Sequence, residues 1–342
     1  MIRGHSNESM TTTAQKTPDA DQDRALDLLR EAHSFVLVGH QRPDGDCLGG
    51  QTALARGLRS LGKEVRILNP DPPGRTFGYL AETTLFEVYQ GGELPAHDVV
   101  CLLDFNEPSR CGPELQEAVR RAPSRKLVID HHPPLTGPWW DEAFLDPRAS
   151  ATGLLVYRIL LALGAKIDRE TARGIFTSIV TDTGWFRYSN TDTETLEVAS
   201  ELLRCGVNPT EVYGAIYQRM PATEPRALGA MLQRVEYYCD GRLAVLDHPL
   251  DAGYANDLSD SDAALDILRS VEDVEVVLYL KELEGGICKL SARSKTDYDV
   301  CRLAAEFGGG GHVKASGATI RGTLADVRRR LIEAASKGFQ VR

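Results

Sequence analysis

Four short apolar runs in the first half of the chain, residues 34–39, 64–68, 98–103 and 126–129, limit its fold more than any other feature. Each has the length and apolar content of a buried strand. Helix-compatible patterns over 48–61 and 113–121 fall between the first and second runs and between the third and fourth. Such alternation predicts an α/β domain, a mostly parallel sheet flanked by helices. In sheets of that kind ligands gather beyond the carboxyl ends of the strands. The chemically loaded residues sit there: His40–Asp46 after the first run, Asp104 after the third and Asp130–His132 after the fourth.

Each of these segments has a plain structural explanation when taken alone. Asp-Gly-Asp at 44–46, between Pro43 and a helical pattern, reads as a tight turn that aims His40, Asp44 and Asp46 into one space, but such sequences are often turns and nothing more. Asp104 could cap the following helix. Asp182, at the end of a helical run and two residues before Gly184, could mark helix termination. Asp130, His131 and His132 together supply a ligand, an orienting group and a cation facing substrate within three residues. The conjunction of all four segments favours chemistry over coincidence. Carboxylate oxygens with imidazole suit Mn²⁺ or Mg²⁺ better than a thiolate-seeking metal.

At 342 residues the chain is long enough for two domains, each able to bury its own core. A helical stretch covers 151–232, broken at 182–190 and 206–209, and residues 220–225 read as a link. Beyond it, strand patterns at 243–247, 274–280 and 287–293 alternate with helical patterns at 261–270, 300–307 and 324–335, predicting a smaller α/β domain. The expected organisation is a flexible tail over 1–20, a metal-binding catalytic domain over 21–205, a helical linker over 206–233 and a substrate-binding domain over 234–342. In that last domain Arg293, Ser294 and Lys295, with Gly309, Gly310, Gly311 and His312, offer a Gly-rich turn whose amides and flanking cations could hold a phosphate. A run of four glycines is by itself more often only a flexible turn.

Net charge is −10, with 39 Lys and Arg against 49 Asp and Glu. That balance excludes binding to long duplex nucleic acid along an extended basic track. Seven cysteines without a CxxC pair predict free thiols and a cytoplasmic setting. The longest apolar stretch, 153–165, is too short for a membrane span and carries Arg158. His5, His33, His97 and His248 have no spaced partners and read as surface or satisfied histidines. Trp139 and Trp140 could stack a base but read first as packing residues, and Cys47 and Cys101 as small buried hydrophobes.

The segments HQRPDGDCLGG, LLDF, IDHHPP and TDTGWFRYSN match in order the four signature motifs of the DHH phosphoesterase superfamily, and the chain resembles that family from about residue 24 onward. The Arg-Ser strand and the Gly-Gly-Gly-His segment resemble its C-terminal DHH-associated domain. The resemblance implies two divalent metal ions, Mn²⁺ foremost and Mg²⁺ the substitute. One would be held by His40, Asp44 and Asp104, the other by Asp46, Asp104, His131 and Asp182. His132 would bind a phosphoryl oxygen, Asp130 would orient a histidine, and Arg187 would contact substrate. The two-domain layout is most similar to the nanoRNase group, implying hydrolysis of short RNA oligonucleotides, linear dinucleotides such as pApA and pGpG, and 3′-phosphoadenosine 5′-phosphate (pAp). In that group Arg293 and the glycine segment would hold one phosphate while the metals attack the next. A cyclic-di-AMP phosphodiesterase and a non-catalytic nucleotide sensor are the alternatives, and the group leaves a homodimer open. Two departures bear on substrate preference: Ser150-Ala-Thr-Gly153 is followed by Leu154 where relatives often carry Glu, and Pro133-Pro134 follows the histidines.

Overall fold

The computed structural model describes residues 20–134, 137–253 and 262–340; the polar N-terminal stretch and Ser261 lie outside them. The chain divides between Arg219 and Met220 into two units.

The first unit runs α1 (Ala20–Glu31), β1 (Ser34–Val38), α2 (Gly45–Ser60), β2 (Glu64–Asn69), β3 (Glu87–Val88), β4 (Val99–Leu103), α3 (Pro113–Arg121), β5 (Arg125–Asp130), β6 (Glu142–Leu145), α4 (Thr152–Ala162), α5 (Arg169–Asp182), α6 (Thr193–Arg204) and α7 (Pro209–Tyr217). Its six strands lie in the order β3-β2-β1-β4-β5-β6, every pair parallel. The four apolar runs are thus the four central strands. Both faces of the sheet are covered, which is why those runs are apolar throughout rather than alternating. Phe35 and Leu37 point into a core with α1, α2, α4 and α5, while Val36 and Val38 join Val100, Leu102, Leu115 and Val119 on the α3 side.

Chain order reverses between β1 and β4. The connection from β1 goes outward to β2, that from β4 outward to β5, so the two loops leaving β1 and β4 part from each other and open a crevice. Helix α2 starts at Gly45, three residues before the expected 48, because the Asp44 side chain caps it by accepting from the amides of Asp46 and Cys47. Gly45 is therefore helical rather than part of a turn. It is small because a Cβ there would lie 2.5 Å from Thr181. Where α2 crosses α5, Gly49 and Gly174 face each other, and a Cβ on Gly49 would stand 2.4 Å from the Gly174 carbonyl oxygen.

The second unit runs α8 (Glu224–Leu232), β7 (Glu236–Tyr238), β8 (Leu243–His248), α9 (Asp262–Arg269), β9 (Val276–Leu283), β10 (Ile287–Ser294), α10 (Val300–Ala305), β11 (Gly310–His312), β12 (Ala315–Arg321) and α11 (Leu324–Gln340). Its sheet has the order β11-β12-β10-β9-β8-β7, with β8 and β9 parallel and the other pairs antiparallel. One core lies under α10 and α11, another under α8 and α9. The glycine run is not the open turn expected of it: Gly310–His312 is an edge strand paired with Ala315–Gly317. Its glycines answer to close approach, since a Cβ on Gly309 would meet the Gly317 carbonyl oxygen at 2.1 Å. Among the described residues no helix is long and apolar enough to cross a membrane.

Candidate metal centre

The loop after β1, the residues ending β4 and β5, and the last turn of α5 bring His40, Asp44, Asp46, Asp104, His131 and Asp182 together. His40, Asp44 and Asp104 offer ligand atoms within 4.8 Å of one another, as do Asp46, His131 and Asp182. Asp104 faces both groups. Its Oδ2 lies 3.3 Å from His40 Nε2 and its Oδ1 lies 3.7 Å from His131 Nε2. His131 Nε2 is also 3.4 Å from Asp46 Oδ2 and 3.7 Å from Asp182 Oδ2.

Hydrogen bonding on the far side of each imidazole fixes what the near side offers. His40 Nδ1 donates to the Gln41 carbonyl oxygen at 2.9 Å and His131 Nδ1 to that of Ala149 at 3.1 Å. The neutral ring then carries its lone pair on Nε2. Both Nε2 atoms are buried and make no hydrogen bond. Two buried acceptors, each surrounded by carboxylate oxygens, are costly unless a metal cation or a proton stands among them. The donor set is oxygen and imidazole nitrogen without thiolate, the chemistry of a divalent cation of the Mn²⁺ or Mg²⁺ kind.

The electrostatics agree. Burial opposes a charge on His40, but Asp104 and Asp44 outweigh it and push the imidazole up to about 10. Burial, then repulsion from Asp46, lifts Asp104 well above the carboxylate range, and the same two causes push Asp182 up to about 7. Such a cluster binds protons that a divalent cation displaces.

His132 stands beside this cluster with a different attachment. Its Nδ1 donates to Asp130 Oδ1 at 2.8 Å, and that carboxylate, with opposing burial, raises the imidazole's pKa. Asp130 is fully buried, and its Oδ2 accepts from Asn106 Nδ2 at 2.7 Å. Both oxygens are thereby occupied. Asn106 was not singled out in the sequence, although it lies two residues beyond Asp104.

Backbone conformation marks the same segments. Six non-glycine residues among those described have positive φ, and four of them, Arg42, Asp104, Trp185 and Phe186, lie within the ligand-bearing loops. Such conformations cost on the order of 1–3 kcal/mol each and concentrate at functional sites. Asn190 closes the last loop, donating to Asp182 Oδ2 and to the Asp182 carbonyl oxygen, both at 3.2 Å. Arg187 is tied to its own loop, its Nε donating to the Gly184 carbonyl oxygen at 2.7 Å. Trp139 packs as expected and donates Nε1 to the Asn106 carbonyl oxygen at 2.7 Å.

In the second unit Arg293 lies on the sheet face opposite Ala292 and Ser294, which are buried. The Ser294 hydroxyl donates to the Thr296 carbonyl oxygen at 3.0 Å, and Lys295 Nζ donates to those of Val271 and Glu272 at 2.7 and 2.8 Å. Those two side chains have structural employment that the sequence did not disclose. Gly310, Gly311 and His312 are exposed along the outer edge of the sheet, and Gly309 is half-buried beside them.

Comparison with known proteins adds kinship to this geometry. Residues 34–179 match the model of the DHH family N-terminal domain, and residues 244–340 that of the DHHA1 domain. A bifunctional oligoribonuclease and PAP phosphatase NrnA from Thermus thermophilus is 36% identical over 306 residues, 88% of each chain. Its Bacillus subtilis namesake is 27% identical over 84% of this chain and 89% of its own. An exopolyphosphatase-related protein from Bacteroides fragilis superimposes with a TM-score of 0.84 at 28% identity, over 93% of this chain and 96% of that one. RecJ from Thermus thermophilus, solved with Mn²⁺, shares the fold at a TM-score of 0.56 and 17% identity, over 95% of this chain and 55% of its own.

Proposed function

The chain belongs to the DHH family of phosphoesterases, and on that footing we propose that it hydrolyses short oligoribonucleotides and pAp with the aid of two divalent cations, Mn²⁺ foremost. The observation that carries the reading is the pair of buried, unbonded Nε2 atoms of His40 and His131 facing four carboxylates. His40, Asp44 and Asp104 would hold one cation, and Asp46, Asp104, His131 and Asp182 the other.

Bound divalent cations supply acidified water and offset charge on phosphoryl oxygens. The chain's own residues do the rest. Asp104 gives one oxygen to each group, so a single rigid side chain ties the two halves of the centre together. Asp130 holds His132 by Nδ1, which leaves Nε2 as the atom that donates to a phosphoryl oxygen as charge grows there. Asn106 and His132 use both Asp130 oxygens, so Asp130 acts as an orienting group rather than a ligand. Arg187 is the candidate contact on the α5 side. In the second unit Arg293 and the edge formed by Gly309, Gly310, Gly311 and His312 are the candidate phosphate contacts, with Ser294 and Lys295 supporting the strand.

Kinship over most of both chains with proteins named for oligoribonuclease and PAP phosphatase activity supports the substrate class. The charge of −10 agrees, since it disfavours long polyanions. The test is a panel of metals against substrates. Mn²⁺-dependent release of AMP from pApA and of phosphate from pAp is expected. Faster turnover of cyclic di-AMP would replace this reading with a cyclic-dinucleotide phosphodiesterase, and binding of pApA without release of AMP would make the protein a sensor.

A further inference from the structure

One segment singled out in the sequence, Ser150-Ala-Thr-Gly153, has no part in the chemistry above, yet its surroundings are unusual. Ser150, Ala151 and Thr152 are fully buried. Helix α4 begins at Thr152, and its N-cap, Ala151, has no side chain with which to cap it. The capping acceptor comes from another helix. Asp46 Oδ2 accepts from the Thr152 amide at 2.9 Å and Asp46 Oδ1 from the Gly153 amide at 3.2 Å. Two orphan donors of a helix start thus hold a candidate ligand, with the helix dipole favouring its ionised form.

The same few residues reach the other candidate ligands. Thr152 Oγ1 donates to Asp104 Oδ1 at 3.2 Å. The carbonyl oxygen of Ala149, one residue before the segment, accepts from His131 Nδ1. That of Ser150 accepts at 3.0 Å from Asn190 Nδ2, which also bonds Asp182. Asp46, Asp104, His131 and Asp182 are thereby all tied, directly or through one side chain, to residues 149–153. Ser178 on α5 completes the arrangement: its hydroxyl donates to Asp46 Oδ1 and accepts from the Gly153 amide at 2.7 Å. Glycine is needed at 153 because a Cβ there would lie 2.1 Å from Ser178 Oγ.

We propose that residues 149–153 form the frame of the metal centre, with Thr152 a positioning residue for Asp104 and Ser178 one for Asp46. The Thr152 hydroxyl fixes the rotation of the Asp104 carboxylate so that Oδ2 faces His40 and Oδ1 faces His131. Ser178, with the two amides, leaves Asp46 one open direction toward His131 and Asp182. This inference rests on the metal reading of the site and adds to it the groups that preset the ligands before a cation arrives.

The test is Mn²⁺ binding by calorimetry to chelator-stripped, full-length protein, beside its melting temperature with and without Mn²⁺. Thr152→Val keeps the side-chain shape and removes the donor. It is expected to weaken Mn²⁺ binding by about 10- to 100-fold, the range for removing a partner of a metal ligand, and to shrink the Mn²⁺-induced rise in melting temperature. Thr152→Ser, which restores the hydroxyl, is expected to recover most of the affinity. Ser178→Ala is expected to lose affinity in the same way through Asp46, and it decides the matter if Thr152→Val does not fold. Wild-type binding with both Thr152→Val and Ser178→Ala within about twofold of it would overturn the proposal alone. A wild-type protein that takes up no divalent cation would overturn the metal reading and this proposal with it.

Discussion

At the scale of single residues, the centre depends on side chains that answer to two neighbours at once. Asp104 is the extreme case. It is buried, has φ of 66°, and gives its two oxygens to histidines on separate loops. We expect Asp104→Ala to lower hydrolysis of pAp and pApA by on the order of 10³-fold or more, since both halves of the centre lose a ligand. Calorimetry should show Mn²⁺ uptake lost with it, and a variant that still binds Mn²⁺ as the wild type does would speak against the shared role. The six candidate ligands were legible in the sequence because His40, Asp104 and His131 follow strands, Asp44 and Asp46 open a helix, Asp182 closes one, and all are carboxylates or imidazoles. The roles of their supporting residues were not. Thr152, Asn106 and Asn190 are ordinary polar residues whose significance lies in hydrogen bonds across distant parts of the chain. Ser178 left a trace, standing four residues before Asp182 and so on the same helix face.

Elements show a different division between what sequence discloses and what it hides. The central strands and helices α2, α3, α6 and α7 follow from apolar pattern and length, whereas α4 and α5, expected as one helical stretch, are separate helices divided at 163–168. Strands β3, β6, β7 and β11 do not follow from pattern, because edge strands bury one side at most and their residues mimic loop composition. Strand β12, inside the sheet, was missed as well: the alternation of buried Ser316, Ala318 and Ile320 is present, but only Ile320 among them is a strong strand former. Helix α5, which carries Ser178 and Asp182, offers a test at this scale. Asp168 caps it, accepting from the Thr171 amide at 2.8 Å, and pairs with Arg56 at 2.8 Å. Burial opposes ionisation, but Arg56 and Thr171 prevail and lower Asp168 to about 2. Because the folded value lies below the unfolded one of about 4, the contribution is complete above pH of about 4 and lost as pH falls through about 2. The ion pair is part-exposed and screened, so the cap supplies most of the effect. We expect Asp168→Ala to cost about 1 kcal/mol at neutral pH in urea denaturation, and the gap from wild type to close as the medium is acidified. A gap that is constant with pH would exclude the carboxylate as its source.

The whole molecule consists of two units, each with a core of its own. Ligands and fold in the first unit follow from a parallel sheet that places all its loops of one kind at one edge. The second unit was less legible, since its sheet is mostly antiparallel and its two edge strands, β7 and β11, are only three residues long each. The contribution to substrate choice proposed for it is separable by experiment. Arg293→Ala is expected to raise KM by about tenfold, the worth of one charge-assisted hydrogen bond, for substrates with a phosphate beyond the scissile bond. Turnover of bis-p-nitrophenyl phosphate should be unchanged. Equal losses on both would place Arg293 in the fabric of the protein instead of in recognition.

The meeting of Gly49 and Gly174 carries a consequence for how such a centre can vary. Asp46 rides on one of the crossing helices, Ser178 and Asp182 on the other, and where Gly49 meets Gly174 neither helix presents a side chain of its own to the facing backbone. The gap between those carboxylates is therefore gauged by the thickness of two peptide backbones, a dimension that drift among neighbouring Leu, Ile and Val residues leaves alone. Two missing side chains serve as the molecule's calliper.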